Sequence, residues 1–132
     1  MKKHFTLKEA NNILFKIRPK IKKIIKTCIK IELMDQINIT NEDMFLDHKQ
    51  AIEESLNYYK LQYVLFKELS SLTEIGIFVK DPAIGLIDFF SKHEGRTVFL
   101  CYNYPEREIK FWHELNEGYQ GRQPIGLLKQ KV

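Results

Sequence analysis

The chain of 132 residues carries 21 basic and 17 acidic side chains, a formal net charge of +4, two cysteines and one tryptophan. Hydrophobic residues make up 44%, which excludes wholesale disorder, and no apolar run approaches the ~20 residues of a membrane span. Two cysteines cannot build a disulfide scaffold and fit reduced thiols, while the length fits one domain over 1–132, since domains run to about 100–150 residues.

The charge is unevenly spread. Residues 1–31 hold ten basic groups and one acid, a balance of +9; residues 32–132 hold eleven basic and sixteen acidic groups, a balance of −5. Met1-Lys2-Lys3-His4-Phe5 has no apolar stretch behind its basic residues, so no secretory signal is expected and the cytoplasm is the expected compartment.

Thr6-Leu7-Lys8-Glu9 has the form of a capping box, with Phe5 and Ala10 at the positions of a hydrophobic staple. From there Leu7, Ala10, Leu14, Ile17, Ile21, Ile24, Cys28 and Ile31 alternate at spacings of three and four, which predicts a helix packed along a narrow seam. A helix of about 25 residues is expected, kinked rather than stopped at Pro19, because the seam keeps its phase afterwards. Its other faces carry Lys16, Lys20, Lys23 and Lys30 on one side, with no acid from Ala10 to Ile31. That strip is a candidate surface for nucleic acid or an acidic partner. A solvated helix is the preferred reading, because lysines outnumber arginines seventeen to four and no aromatic residue alternates with them to stack a base.

The segment from Asp35 to Thr40 is expected to reverse the chain, with Thr40 or Asn41 capping a second helix above Glu42 and Asp43. That helix carries two apolar stripes, one of Ile52, Leu56, Tyr59, Tyr63 and Phe66, the other of Tyr58, Leu61, Leu65, Leu69 and Leu72. Two stripes need two partners. The simplest solution gives one to the first helix and the other to whatever follows Gly76; a homodimer through the helices would bury what remains.

After Gly76 the pattern changes to short β-branched and aromatic runs: Ile77–Val79, Leu86–Phe90, Thr97–Tyr102 and Ile109–His113, separated by turn signals at Asp81-Pro82, Glu94-Gly95 and Tyr104-Pro105. Four antiparallel strands in a meander are expected, one face covered by the second helix. The fold class is therefore α+β: a long N-terminal antiparallel helical hairpin (6–74), a small β-meander of about four strands (76–115), and a glycine-punctuated loop and tail (116–132).

Several residues of this half are unusual for scaffolding. Asp88 interrupts an apolar strand; His113 stands at a strand end, four residues before Glu117; Arg96 and Arg122 each follow a glycine. Asp88, Arg96, Trp112, His113 and Arg122 are the candidate ligand-binding set. His113, Asp88 and Glu117 are candidates for acid–base work, with the carboxylates orienting the imidazole and the arginines taking an anion. The competing structural reading pairs Asp88 with Arg96 across two strands and uses His113 to cap a sheet edge. Cys101 and His113 are weak candidates for a zinc or iron site, since no paired CxxC or HxxxH spacing supports one. A mid-strand position makes Cys101 a poor nucleophile, and Gly118-x-x-Gly121 lacks the Lys-Ser or Lys-Thr of a P-loop.

The ordered set Lys80-Asp81-Pro82, Gly85-Leu86-Ile87-Asp88-Phe89, Gly95-Arg96, Leu100-Cys101-Tyr102, Trp112-His113 and Gly118-Tyr119-x-Gly121-Arg122-x-Pro124 resembles an uncharacterised prokaryotic family, domain of unknown function 2203. The opening Phe5-Thr6-Leu7-x-x-Ala10-Asn11 is similar too. Phe90 and Tyr102 depart from the proline and tryptophan that the family often has there. The resemblance brings no known activity with it and leaves the cofactor open. It implies that Asp88, Arg96, Trp112, His113, Gly118, Gly121 and Arg122 belong to a recurring pattern. The expected function is a small binding or regulatory module with a polar Asp/His/Arg pocket on the sheet, taking a small-molecule ligand. An enzyme using His113 in hydrolysis, with or without a metal, ranks second; binding of nucleic acid or an acidic partner through the first helix ranks third.

Overall fold

The computed structural model describes residues 4–40 and 48–128. Two long helices, α1 (Leu7–Thr40) and α2 (His48–Glu74), precede an antiparallel sheet of β1 (Ile77–Asp81), β2 (Leu86–His93), β3 (Arg96–Asn103), β4 (Phe111–Glu114) and β5 (Gln123–Pro124). The strands lie side by side in sequence order. The molecule is thus α+β, a helical hairpin on a meander.

The capping box forms as its spacing dictates. Thr6 N–H donates to Glu9 Oε1 at 3.1 Å and Glu9 N–H donates to Thr6 Oγ1 at 3.2 Å. Ahead of it the chain is tied to the sheet: Phe5 N–H donates to the Phe90 carbonyl at 2.7 Å, and the Ser91 hydroxyl donates to the Phe5 carbonyl at 2.5 Å. These ties aim α1 along the sheet. Its seam residues Ala10, Leu14, Ile17, Ile21 and Ile24 join Phe89, Leu100, Tyr102 and Trp112 in one core, so α1, rather than α2, supplies most of the apolar cover. Pro19 sits on the exposed side of α1, and the helix runs through it.

The hairpin differs from expectation at its far end. Asp35–Thr40 belongs to α1, which is 34 residues long, because Glu32 to Gln36 are mostly good helix formers; Asp35 lies close enough to Tyr58 of α2 to raise its pKa. Thr40 closes α1 instead of opening α2; the capping assigned to Asn41, with Glu42 and Asp43, lies outside the described residues. Nearer the sheet Lys20 donates to Ser71 Oγ at 3.0 Å, and Lys23 pairs with Glu68 at 3.2 Å. Sequence numbers rise on one helix as they fall on the other, so the pair is antiparallel. Leu65, Leu69 and Leu72 of one α2 stripe join the core. The other stripe does not reach the sheet: exposure runs from 49% at Ile52 to 69% at Phe66.

Two turns set the sheet. Glu94 (φ 51°) and Gly95 (φ 80°) make a two-residue turn with both φ values positive, the geometry that suits the twist of a hairpin, and His93 pairs with Arg96 across it. At Gly85 (φ +69°) a Cβ would lie 2.7 Å from Tyr104 Cβ and 2.8 Å from Ile25 Cδ1, so the residue is glycine for conformation and for closeness alike. The fifth strand was not expected. Its two residues carry no periodic signal, and Pro124 is tolerated only because β5 is an edge.

Candidate functional site

Side chains alternate along a strand, and residues paired across an antiparallel ladder share a face. The registers Phe78↔Asp88, Asp88↔Cys101, Phe90↔Phe99, Phe99↔His113 and Cys101↔Phe111 therefore put Asp88, Cys101 and His113 together on the face away from α1. Phenylalanines 78, 90, 99 and 111 surround them: the Phe90 and Phe99 rings are 4.9 Å apart, Phe99 and the His113 ring 5.2 Å, and Phe78 stacks on Phe99 at 6.5 Å. With this aromatic fence around them, Asp88 and His113 are both 0% exposed.

Asp88 Oδ1 lies 3.2 Å from His113 Nε2. Lys80 Nζ approaches Asp88 Oδ2 to 3.7 Å, an ion pair too long for a hydrogen bond, and Oδ2 has no hydrogen-bond partner. His113 Nδ1 is 2.9 Å from the Glu114 carbonyl. A carbonyl can only accept, which assigns the proton to Nδ1. Nε2 then faces a carboxylate oxygen as a second acceptor unless a cation or a proton stands between them. Burial pushes the imidazolium down, but the hydrogen bonds to Asp88 and to the Glu114 carbonyl outweigh it, and the His113 pKa rises above its ordinary value. Burial, then the Asp88 charge, push the Cys101 thiol up to about 12, with Arg122 and Lys80 pulling the other way. Such a thiol is protonated and unreactive at neutral pH. The Sγ of Cys101, an Asp88 oxygen and a His113 ring nitrogen lie within 4.8 Å of one another, so among the described residues these three are placed to hold a metal.

The remaining candidates divide. Arg122 borders the cluster: its guanidinium sits 4.1 Å over the Phe111 ring and 4.6 Å over Tyr119, and it donates to Glu106 at 3.3 Å. Arg96 is at the hairpin turn, bound to Glu114 and Glu94, not to Asp88. Trp112 pairs with Leu100 on the opposite face and lies against the His93 ring at 4.8 Å. Glu117 packs beside Gly121 in the turn after β4. Of the four candidate lysines on α1, Lys20 and Lys23 are engaged by Glu68, while Lys16 and Lys30 face solvent.

Sequence reasoning missed Lys80 and undervalued Cys101. A signal for Cys101 exists in the chain: Asp88 stands six residues before Glu94 and Cys101 six after Gly95, so a two-residue turn there makes them direct partners. Lys80 has no such signal, since the ladder shifts between Val79 and Asp81.

No curated protein and no solved structure matches the chain. A model for an uncharacterized conserved protein family, DUF2203, matches residues 3–125, which take in α1, α2 and every strand of the sheet. The chain belongs to the DUF2203 family of uncharacterized conserved proteins.

Proposed function

We propose that the chain is a single-domain binding module whose ligand sits on the helix-free face of the sheet, at Asp88 and His113, with Lys80 and Arg122 at the margin. The observation that carries this reading is the buried carboxylate, left with one oxygen lacking a hydrogen-bond partner beside an imidazole. Buried ion pairs add little to stability compared with apolar side chains of the same volume, so folding alone gives no reason to keep one here. A thermal-shift series with zinc chloride, inorganic phosphate and acetate tests it. A probe at 100 times its Kd stabilises by about 2.7 kcal/mol, several degrees in Tm at this chain length. A zinc shift is expected in the wild type and lost in Asp88→Asn, and a phosphate or acetate shift is expected in the wild type and lost in Lys80→Met. Equal shifts in all three proteins, or none in any, would overturn the reading.

The exposed stripe of α2 supports a homodimer. Ile52, Leu56, Tyr59, Tyr63 and Phe66 follow the four–three spacing of a coiled-coil seam, and Glu53 and Lys60 flank it at equivalent positions, both exposed. Antiparallel pairing of two copies sets Glu53 of one beside Lys60 of the other, whereas parallel pairing opposes Lys60 to Ser55. Sedimentation velocity is expected to give a dimer for the wild type and a monomer for Tyr59→Glu with Tyr63→Glu; a wild-type monomer at tens of micromolar removes this part of the proposal.

Both cysteines are free, which fits a reducing compartment such as the cytoplasm, and the likeness to a prokaryotic family fits a prokaryotic source. Among the described residues no helix is long and apolar enough to cross a membrane. The nucleic-acid reading draws no support from Lys20 and Lys23, which hold α2 in place.

A further inference from the structure

We infer that Asp88, Cys101 and His113 bind one divalent transition-metal ion of the zinc or ferrous-iron type. The inference rests on reading the helix-free face as a ligand site and goes beyond it by naming the ligand. Distances come first. A tetrahedral ion with bonds of about 2.0–2.3 Å keeps its ligand atoms roughly 3.3–3.6 Å apart. The His113 Nε2 to Asp88 Oδ1 separation is already 3.2 Å. Cys101 Sγ, within 4.8 Å of its two partners, needs only a small displacement to join them.

The direction of the lone pairs is the second observation. His113 Nδ1–H donates to the Glu114 carbonyl, the outer contact that metal-bound histidines commonly make, and in the neutral ring this leaves Nε2 as the lone-pair nitrogen on the side of Asp88. Asp88 Oδ2 is buried without a hydrogen-bond partner, a state that buried polar groups seldom keep. Three Lewis-base atoms thus converge where a cation would satisfy all of them.

Charge and donor type agree. A 2+ ion held by one thiolate, one carboxylate and a neutral imidazole is neutral as a unit, which suits a site out of contact with water. On binding, the ion takes the place of the Cys101 thiol proton and of the Nε2 proton of any charged His113; both protons leave to solvent. A mixed sulfur, nitrogen and oxygen set selects zinc or iron over calcium and magnesium, which prefer oxygen alone. Three protein donors leave a fourth coordination position on the metal.

Cobalt(II) chloride, titrated into the purified full chain, is the probe. One equivalent is expected to bind with a thiolate-to-cobalt charge-transfer band. Cys28→Ser keeps that band, Cys101→Ser abolishes it, and His113→Asn weakens binding by more than the about 10–100-fold cost of losing an outer-shell partner. Zinc-edge X-ray absorption of the wild type, which depends on no variant, is expected to show one sulfur among nitrogen and oxygen neighbours. No band in the wild type, a band that survives Cys101→Ser, or a zinc shell without sulfur overturns the metal site. Phosphate stabilisation lost in Lys80→Met, with no cobalt band, discards the metal and keeps the binding module; loss of both signals discards both.

Discussion

On the helix-covered face of the sheet Phe89 meets Phe5 edge to face, with ring centroids 5.7 Å apart, and Leu100 and Trp112 fill the space beneath α1. The next residues along the same strands, Asp88, Cys101 and His113, point the other way into a cluster of ionisable groups on the face away from α1. Both sets are buried, yet by different means. The first is shielded by the seam of a long helix and gains stability from apolar area; the second is shielded by phenylalanines and places charge where burial opposes it. One sheet can hold both because alternation lets a single strand serve two environments. The first face carries the apolar core of the fold, and the second carries the residues proposed to take a ligand.

That contrast can be broken most forcefully with one residue type on two faces. Phe89→Ala is expected to cost about 3–5 kcal/mol, as deletion of a buried phenylalanine does, and to remove much of the margin of roughly 5–15 kcal/mol of a typical domain. Phe78→Ala, at a residue 48% exposed on the other face, is expected to cost under about 1 kcal/mol. Urea unfolding measures both, and equal losses would dissolve the distinction.

The ionisable cluster offers a sharper cut of somewhat smaller size. Asp88→Leu alone strands His113 and is expected to cost about 3 kcal/mol, whereas Asp88→Leu with His113→Leu is expected to cost less than either single change. Metal or ligand binding vanishes in all three. If the double variant is the least stable of the set, the pair belongs to the architecture and not to function.

The smallest effect concerns Arg96, at the turn that joins the two faces' strands. Its hydrogen bonds and charge lower the Glu114 pKa. A depressed folded value means that the pair stabilises above the unfolded glutamate pKa of about 4.3 and that this contribution fades as pH falls through the folded value. Thermal unfolding of Arg96→Gln is expected to match the wild type at low pH and fall slightly below it near neutrality. The difference is slight because the pair is partly exposed. A gap that instead widens on acidification contradicts the assignment.

Much of the fold was legible in the chain because local physics wrote it there. The Thr6–Glu9 capping box, the seam from Leu7 to Cys28 and the β-branched runs after Gly76 all formed where their patterns predict. The reach of α1 to Thr40 was not legible, because the polar segment at Asp35 reads as a turn until Tyr58 of α2 is opposite it. Nor was the exposure of the Tyr59–Phe66 stripe, since a second stripe announces a partner without saying whether that partner is in the same chain. For the site, Asp88 stood out as a charge in an apolar strand. Its true neighbours depended on register, which Glu94 and Gly95 fix through their positive φ values, and proximity in sequence pointed instead to Glu117 and Arg96.

A cation-seeking cluster on the face away from α1 would show itself at the His113 ring. Long-range nitrogen–proton NMR of the labelled chain reads its two nitrogens separately, before and after one equivalent of zinc chloride. The expected result is a proton retained on Nδ1, held by the Glu114 carbonyl, and an Nε2 that moves to the shift of a metal-bound nitrogen. A His113 ring that keeps its signals unchanged on zinc addition, or that carries its proton on Nε2 alone, would contradict the account.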